Sequence, residues 1–177
     1  MQYTNKYHTP IGSVTLASDG KALIGLWFDH QKYFADTLSA ENEERDLPIF
    51  KQAKQWLDIY FRGENPDFTP PLSLNATPFR LTVWKILKSI PYGHVMTYGD
   101  ISKIMAKKMK LKRMSAQAVG GAVGHNSISI IIPCHRVVGS NGSLTGYAGG
   151  IDKKVKLLAL EKTNIQHLYI PKHGTAL

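Results

Sequence analysis

The sequence predicts an α+β protein in two parts, a small antiparallel sheet with one helix followed by a helical half. Three observations predict it: strand-like alternation in the first 28 residues, four prolines between residues 66 and 78, and a series of capped helical segments after them. The 177 residues suffice for one large or two small packed domains, and 43% apolar with 20% charged residues is ordinary for a globular chain.

Tyr3–Thr9 runs into the turn signal Pro10-Ile11-Gly12, and Ser13-Val14-Thr15-Leu16-Ala17 then alternates polar and apolar. A second turn, Ser18-Asp19-Gly20, precedes Ala22–Phe28, completing a meander. Pro48 opens a helix with Ile49, Ala53, Trp56, Leu57 and Tyr60 on one face. Residues 66–78 are expected to be a connector belonging to neither part, which puts the domains at 1–75 and 76–177.

Beyond the connector, Thr77-Pro78 reads as a cap and first-turn proline for a helix carrying Phe79, Val83, Trp84, Leu87 and Ile90. Pro91-Tyr92-Gly93 ends it. Thr97-Tyr98-Gly99-Asp100 resembles a capping box and starts a helix through Ile101, Ile104 and Met105. Lys107–Arg113 is a basic connector, and Ser115 caps a third helix, Ala116–Gly124, in which every residue except Gln117, Val119 and Val123 is Ala or Gly. Glycine costs about 1 kcal/mol against alanine in a helix, so a close neighbour must need the missing side chains. That neighbour is either another helix or a nucleic-acid groove, and the pair of helices has the look of a helix-turn-helix. Ser127–Ile132 is β-branched and reads as a buried strand running into Pro133-Cys134-His135-Arg136.

The charge is divided unequally. Residues 1–75 carry seven Lys/Arg against ten Asp/Glu, a net of −3, while residues 76–177 carry fifteen against three, a net of +12. That asymmetry points to an anionic partner on the second half, and to a nucleic acid rather than a membrane surface, since the bases do not form one amphipathic helix. No apolar run reaches the ~20 residues of a membrane span, and Met1–Tyr7 lacks the apolar core of a secretory signal. Cys134 is the single cysteine, which rules out an intramolecular disulfide and a multi-thiolate zinc site and indicates the cytoplasm. No Walker lysine and no G-x-G-x-x-G after a strand is present, so no nucleotide cofactor is expected.

A lone cysteine is commonly a small buried hydrophobe. Here its neighbours are a base, His135, and a fixed charge, Arg136, both of which favour thiolate. Glu161, the single Glu of the basic half, is a candidate acid partner or a solvated helix residue. In a regular strand Cys134 and His135 point to opposite faces, so either the chain turns at Pro133-Cys134 or a water bridges them. The same alternation would turn Arg136 away from the thiol. A thiol hydrolase using Cys134, His135 and Glu161 and a DNA-binding module without chemistry are both compatible with these residues.

Pro133-Cys134-His135-Arg136-Val137 resembles the active-site motif of the methylated-DNA–protein-cysteine methyltransferases, or alkylguanine-DNA alkyltransferases. The resemblance extends through Tyr92-Gly93, Thr97-Tyr98-Gly99, Ala118–Ala122, Asn126, Thr145–Gly150 and Leu157–Glu161, and covers roughly residues 78–162 closely and 1–65 in architecture alone. It implies a ribonuclease-H-like αβ N-terminal domain followed by a helical C-terminal domain with a helix-turn-helix and the reactive cysteine. It implies a monomer that binds duplex DNA through the minor groove, flips 6-O-alkylguanine (and 4-O-methylthymine) out of the stack, and moves the alkyl group irreversibly to Cys134, without cofactor. In that scheme His135 is the base through a water and Glu161 orients it. Asn126 holds the turn before the active-site segment, and Tyr98 crowds the phosphate and meets the leaving guanine. Tyr147 walls the alkyl pocket and the Ala148 amide faces the 6-oxygen. Arg113, Ser115, Gln117, Ala118 and Gly121 are expected at the DNA. Gln117 stands where the family commonly has an arginine that fills the gap left by the flipped base, with Arg113 a candidate substitute. The basic connector is longer than is usual, and with one cysteine the N-terminal zinc site of some members is not expected.

Overall fold

Residues 1–172 are described in this computed structural model, and they divide into two units, Met1–Asn75 with Ser127–Ile131, and Ala76–Asn126 with Ile132 onward. In the first unit β1 (Gln2–Thr9), β2 (Gly12–Ser18) and β3 (Leu23–Phe28) pair antiparallel as the meander their turns predict. A fourth strand, β4 (Asn42–Glu44), adds parallel to β1, so the order is β3-β2-β1-β4. Helix α1 (Pro48–Phe61) packs on this sheet through Ile49, Phe50, Ala53, Trp56, Leu57 and Tyr60, with proline in its first turn.

The alternation of β2 does not translate into one wet and one dry face. Val14 to Ser18 are all buried. On β3 the Trp27 ring folds back over Gly25, where a Cβ would collide with it, so glycine makes room for the indole two residues on.

The proline-rich stretch is not a free connector. Leu23 N donates to the Pro71 carbonyl and Ser73 N to the Leu23 carbonyl, both at 2.8 Å, so the chain continues along the edge of β3. Proline lacks a donor but keeps its acceptor, and an edge asks no more of it. The run Ser127–Ile132 is also not a strand. One bridge joins Leu26 and Ile128, Ile130 sits at φ 69°, and the segment turns. It is buried, as its apolar residues require, but its length in the sheet is a single residue pair.

In the second unit α2 (Pro78–Lys88), α3 (Tyr98–Lys108) and α4 (Ala116–Gly124) pack against one another around Val83, Trp84, Leu87, Ile101, Met105, Val119, Ala122 and Val123. Thr77 caps α2 by accepting from Arg80 N, and Trp84 Nε1 donates to the Ala122 carbonyl at 2.8 Å. Thr97 and Asp100 form a reciprocal capping box on α3. Lys107 and Lys108 belong to the last turn of α3, where they complement the helix dipole, so the basic connector is shorter than the sequence implies. β5 (Met96–Thr97) pairs parallel with β6 (Val137–Val138), and α5 (Ile151–Leu160) packs on the turn that precedes β6. Among the described residues no helix is long and apolar enough to cross a membrane.

Candidate active site

Cys134–Arg136 forms one turn of 3-10 helix after Pro133. Arg136 N donates to the Pro133 carbonyl at 3.0 Å and Val137 N closes the turn on the Cys134 carbonyl. Strand alternation therefore does not apply. Cys134, His135 and Arg136 are all buried, and Arg136, expected to point away, enters the same network as its neighbours.

Glu161 terminates α5 and is buried, not solvated. Its Oε1 meets His135 Nε2 at 2.6 Å and accepts from Arg136 Nη2 at 3.0 Å. Its Oε2 accepts from Arg136 Nε at 2.9 Å and from Gly93 N at 3.2 Å. Gly93 occupies φ 77°, and a Cβ there would press on the Glu161 carbonyl. Burial pushes the Glu161 carboxyl up, but the hydrogen bonds and charges of His135 and Arg136 outweigh it and bring it from 4.5 to about 2. An ionised carboxylate can only accept, so His135 carries its proton on Nε2 and presents a basic Nδ1. Burial holds His135 below its usual 6.5, against the pull of Glu161 and helped by the Arg136 and Lys154 charges. The imidazole is thus neutral at pH 7.

Asn126, just past α4, is buried. Its Nδ2 donates to the Ile132 carbonyl at 2.8 Å and lies 3.2 Å from Cys134 Sγ. One amide thus pins the segment and touches the sulfur. Burial raises the thiol's pKa, opposed by the Asn126 hydrogen bond and the Lys154 charge. Tyr98, the first residue of α3, donates to the carbonyls of Gly146 at 2.9 Å and Thr145 at 3.3 Å. Tyr147 follows on that loop, buried, with its ring edge-on to His135 at 6.5 Å and its hydroxyl without a hydrogen-bond partner among the described residues. Burial, and then the charge of Cys134, raise the pKa of both tyrosines. Ala148 is half-buried on the same loop.

The structure therefore joins Asn126 to Cys134 and Glu161 to His135 by direct contacts, with Tyr98 of α3 hydrogen-bonded to the adjoining loop that carries Tyr147. The other candidates are exposed rather than buried with the sulfur. Ser115 caps α4 by accepting from Ala118 N at 3.2 Å, Arg113 lies on the connector, and Gln117, Ala118 and Gly121 occupy the outer side of α4. A Cβ at Gly120 or Gly121 meets nothing within 4 Å, so packing inside the chain does not account for these glycines.

Sequence reasoning missed Lys154. It is fully buried on α5, and its Nζ donates to the carbonyls of Val137 and, at 2.9 Å, Thr145. The signal was present: Lys154 falls in the helical stripe of Ile151, Leu158 and Glu161. No group of three or more His, Cys, Asp or Glu among the described residues could hold a metal ion.

The family model described as the DNA binding domain of 6-O-methylguanine DNA methyltransferase matches residues 78–163, and that of its ribonuclease-like domain matches residues 2–74. The methylated-DNA–protein-cysteine methyltransferase of Mycobacterium tuberculosis H37Rv is 43% identical over 155 residues, covering 88% of this chain and 89% of the relative. That of Haemophilus influenzae is 37% identical over 162 residues, 90% of this chain and 86% of the relative. The crystal structure of Mycobacterium tuberculosis OGT in complex with DNA superposes with a TM-score of 0.77 at 42% identity, covering 90% of this chain and 92% of that one.

Proposed function

This chain belongs to the 6-O-methylguanine DNA methyltransferase family, and from that membership we propose that it repairs alkylated DNA by direct reversal, moving the alkyl group of a 6-O-alkylguanine onto Cys134 once per molecule. It is a methylated-DNA–protein-cysteine methyltransferase. The observation that carries the assignment is the buried sulfur held by Asn126 beside a neutral imidazole that an ionised Glu161 orients.

In the transfer, the Cys134 sulfur attacks the alkyl carbon. The new S–C bond forms as the C–O bond to the 6-oxygen breaks with its electron pair on the oxygen, and the leaving guanine takes up one proton. The thiol supplies that proton, accepted by His135 through a water. The buried thiol rests protonated, so the base acts when the substrate is in place. The Tyr98 hydroxyl and the Ala148 amide serve the guanine, and Tyr147 walls the alkyl group. The product is a thioether with no carbonyl for water to attack, so no turnover follows. 4-O-methylthymine presents the same alkyl–oxygen bond and is a second substrate.

The 6-oxygen lies inside the stacked duplex, so the base must leave the helix to reach a buried sulfur. Helices α3 and α4 act as a helix-turn-helix, and the small outer side of α4 suits a minor groove ~6 Å wide. The basic excess of residues 76–177, net +12 although Arg136 and Lys154 are buried, draws the protein to the phosphates, and the protein works as a cytoplasmic monomer without cofactor, with residues 1–75 as a ribonuclease-H-like support.

Mixing the protein with a duplex carrying a single 6-O-methylguanine, followed by intact-mass and peptide mapping, tests the reading. The expected result is a gain of one methylene on the Cys134 peptide, saturating at one per protein and absent in Cys134→Ala. Duplex binding without mass gain would make the protein a recognition module, and neither binding nor gain would favour a thiol hydrolase.

A further inference from the structure

The end of α3 and the connector behind it form a groove that the alkyl transfer does not use. Met109 N donates to the Met105 carbonyl and Leu111 N to the Ala106 carbonyl, both at 2.9 Å, with Lys110 between them at φ 55°. This is the reversal that a glycine commonly makes at a helix end. It sends residues 111–114 back beside α3 before Ser115 caps α4. The open groove between them has a volume of about 440 Å³ and is lined by Ser102, Lys103 and Lys107 of α3 and by Leu111, Lys112 and Arg113 of the connector.

Two independent features mark it as a seat for an anion. The first is charge. Lys103, Lys107, Lys108, Lys110, Lys112 and Arg113 are all exposed, and no Asp or Glu occurs in the sequence between Asp100 and Asp152. Among the described residues Lys103 alone of these six pairs with a carboxylate, Asp100 at 4.0 Å, and both partners are solvated, so the pair holds little. The second is Ser102. It is 7% exposed, and its hydroxyl has no hydrogen-bond partner among the described residues. A hydroxyl taken out of water without a partner is costly. Packing alone is served by alanine, as at Ala106 one turn later; a hydroxyl is of use where an acceptor arrives.

The backbone of a nucleic-acid duplex fits this seat. Lys103 and Lys107 stand about 6 Å apart along α3, and mobile point charges suit a row of phosphates better than a single enclosed ion. The connector also passes from Arg113 through Met114 straight into the cap of α4. A duplex whose minor groove receives α4 therefore brings the strand on one rim of that groove to the connector.

We propose that the groove is a second duplex-binding site, separate from α4: it takes the sugar–phosphate backbone beside the minor groove, with the Ser102 hydroxyl donating to a phosphate oxygen and Lys103, Lys107 and Lys112 neutralising the phosphates next to it. It holds methylated and unmodified DNA alike, because backbone contacts carry no record of the base.

The proposal rests on α4 meeting a duplex, but its test needs no alkyl transfer. Affinity for an unmodified duplex is followed by fluorescence anisotropy against salt. The variant carrying Lys103→Gln, Lys107→Gln and Lys112→Gln should bind about a hundredfold more weakly at low salt, and its plot of log K against log salt should flatten by about 0.9 for each of the three phosphates released. Replacing Lys85, Lys88 and Lys156, exposed elsewhere in the same unit, by Gln removes the same charge and should cost far less. Equal losses would mean that net charge alone acts, and would overturn the groove. Ser102→Ala should weaken binding about tenfold with the salt slope unchanged, and wild-type affinity in that variant would overturn the seat. Polyglutamate serves as a second probe. A triple groove variant that keeps its duplex affinity but loses polyglutamate would hand the groove to an acidic protein segment instead. Should a variant fail to fold, wild-type protein decides: lysine acetylation read by mass spectrometry should find Lys103, Lys107 and Lys112 shielded by duplex and Lys85, Lys88 and Lys156 reactive, and uniform reactivity overturns the proposal. Wild-type protein that shows this shielding yet takes no methyl from a methylated duplex would sink the repair reading and leave the groove standing.

Discussion

Around Glu161 each carboxylate oxygen accepts from two donors and the side chains among them are buried, whereas on the outer side of α4 the chain exposes Gln117, Ala118 and Gly121 and leaves the space over the glycines open. Both regions belong to the second unit. The first is built from side chains that cannot be removed without stranding a charge, and the second from side chains that are missing. A site that moves a proton and a methyl group needs fixed dipoles and excluded water. A surface that must enter a groove needs room. Substitutions should therefore act on folding stability in the first region and on DNA affinity in the second.

The largest effect is expected from Glu161→Ala. It leaves Arg136 buried and unmatched, and losing one partner of a buried ion pair costs about 3–5 kcal/mol, to be read from urea denaturation. Acid should act on the same network. His135 sits below its unfolded 6.5 and Glu161 below its unfolded 4.5, so the stability each contributes is complete above those values and is lost as pH falls, for Glu161 between 4.5 and about 2. Glu161→Gln should flatten that lower limb. A flat stability profile in wild type from pH 7 to 3 would mean the knot is not held by charge.

Gly121 tests the opposite region. Because a Cβ there meets nothing, Gly121→Ala should raise stability by roughly 0.5–1 kcal/mol through helix propensity alone. Gly121→Leu should keep the fold but weaken duplex binding by about tenfold, equivalent to ~1.4 kcal/mol, as measured by fluorescence anisotropy. Equal affinity for Leu, Ala and Gly at this position would remove α4 from the DNA.

How much of this was legible in the sequence divides along the same physical line. Caps and turns were, because a threonine before proline at 77–78, the Thr97–Asp100 box and Ser115 act within four residues of themselves. So was the apolar face of α1. The β-branched run at 127–132 was legible as buried but not as bent, since hydrophobicity reports transfer from water and not the backbone path, and Ile130 at φ 69° defies its own propensity. Strand β4 had no pattern to read, being three exposed polar residues paired with β1. At the site, the family resemblance named Asn126, Glu161 and Tyr98, which lie 8, 27 and 36 residues from Cys134 and which no local rule connects to it. Arg136 was misdirected by assuming an extended strand. Lys154 was passed over because lysines are rarely buried, although its place in an apolar stripe marked it as one that is.

The smallest effect, and the sharpest test of the α4 side of the comparison, comes from Gln117→Arg. Position 117 is exposed at the start of α4, four residues before Gly121, so the two share a helical side. Glutamine can hydrogen-bond an orphaned base but brings no charge, while arginine adds one cation and a longer reach. The substitution should leave folding stability within about 0.5 kcal/mol, as surface changes do. It should tighten duplex binding a few-fold at low salt and steepen the plot of log K against log salt by about 0.9, the contribution of one neutralised phosphate. Transfer from a methylated duplex should quicken while transfer from free 6-O-methylguanine stays as it is, since the free base needs no extrusion. Acceleration of both substrates together would place position 117 in communication with Cys134 rather than with DNA, and the division between a buried knot for chemistry and a bare helix for recognition would fail there.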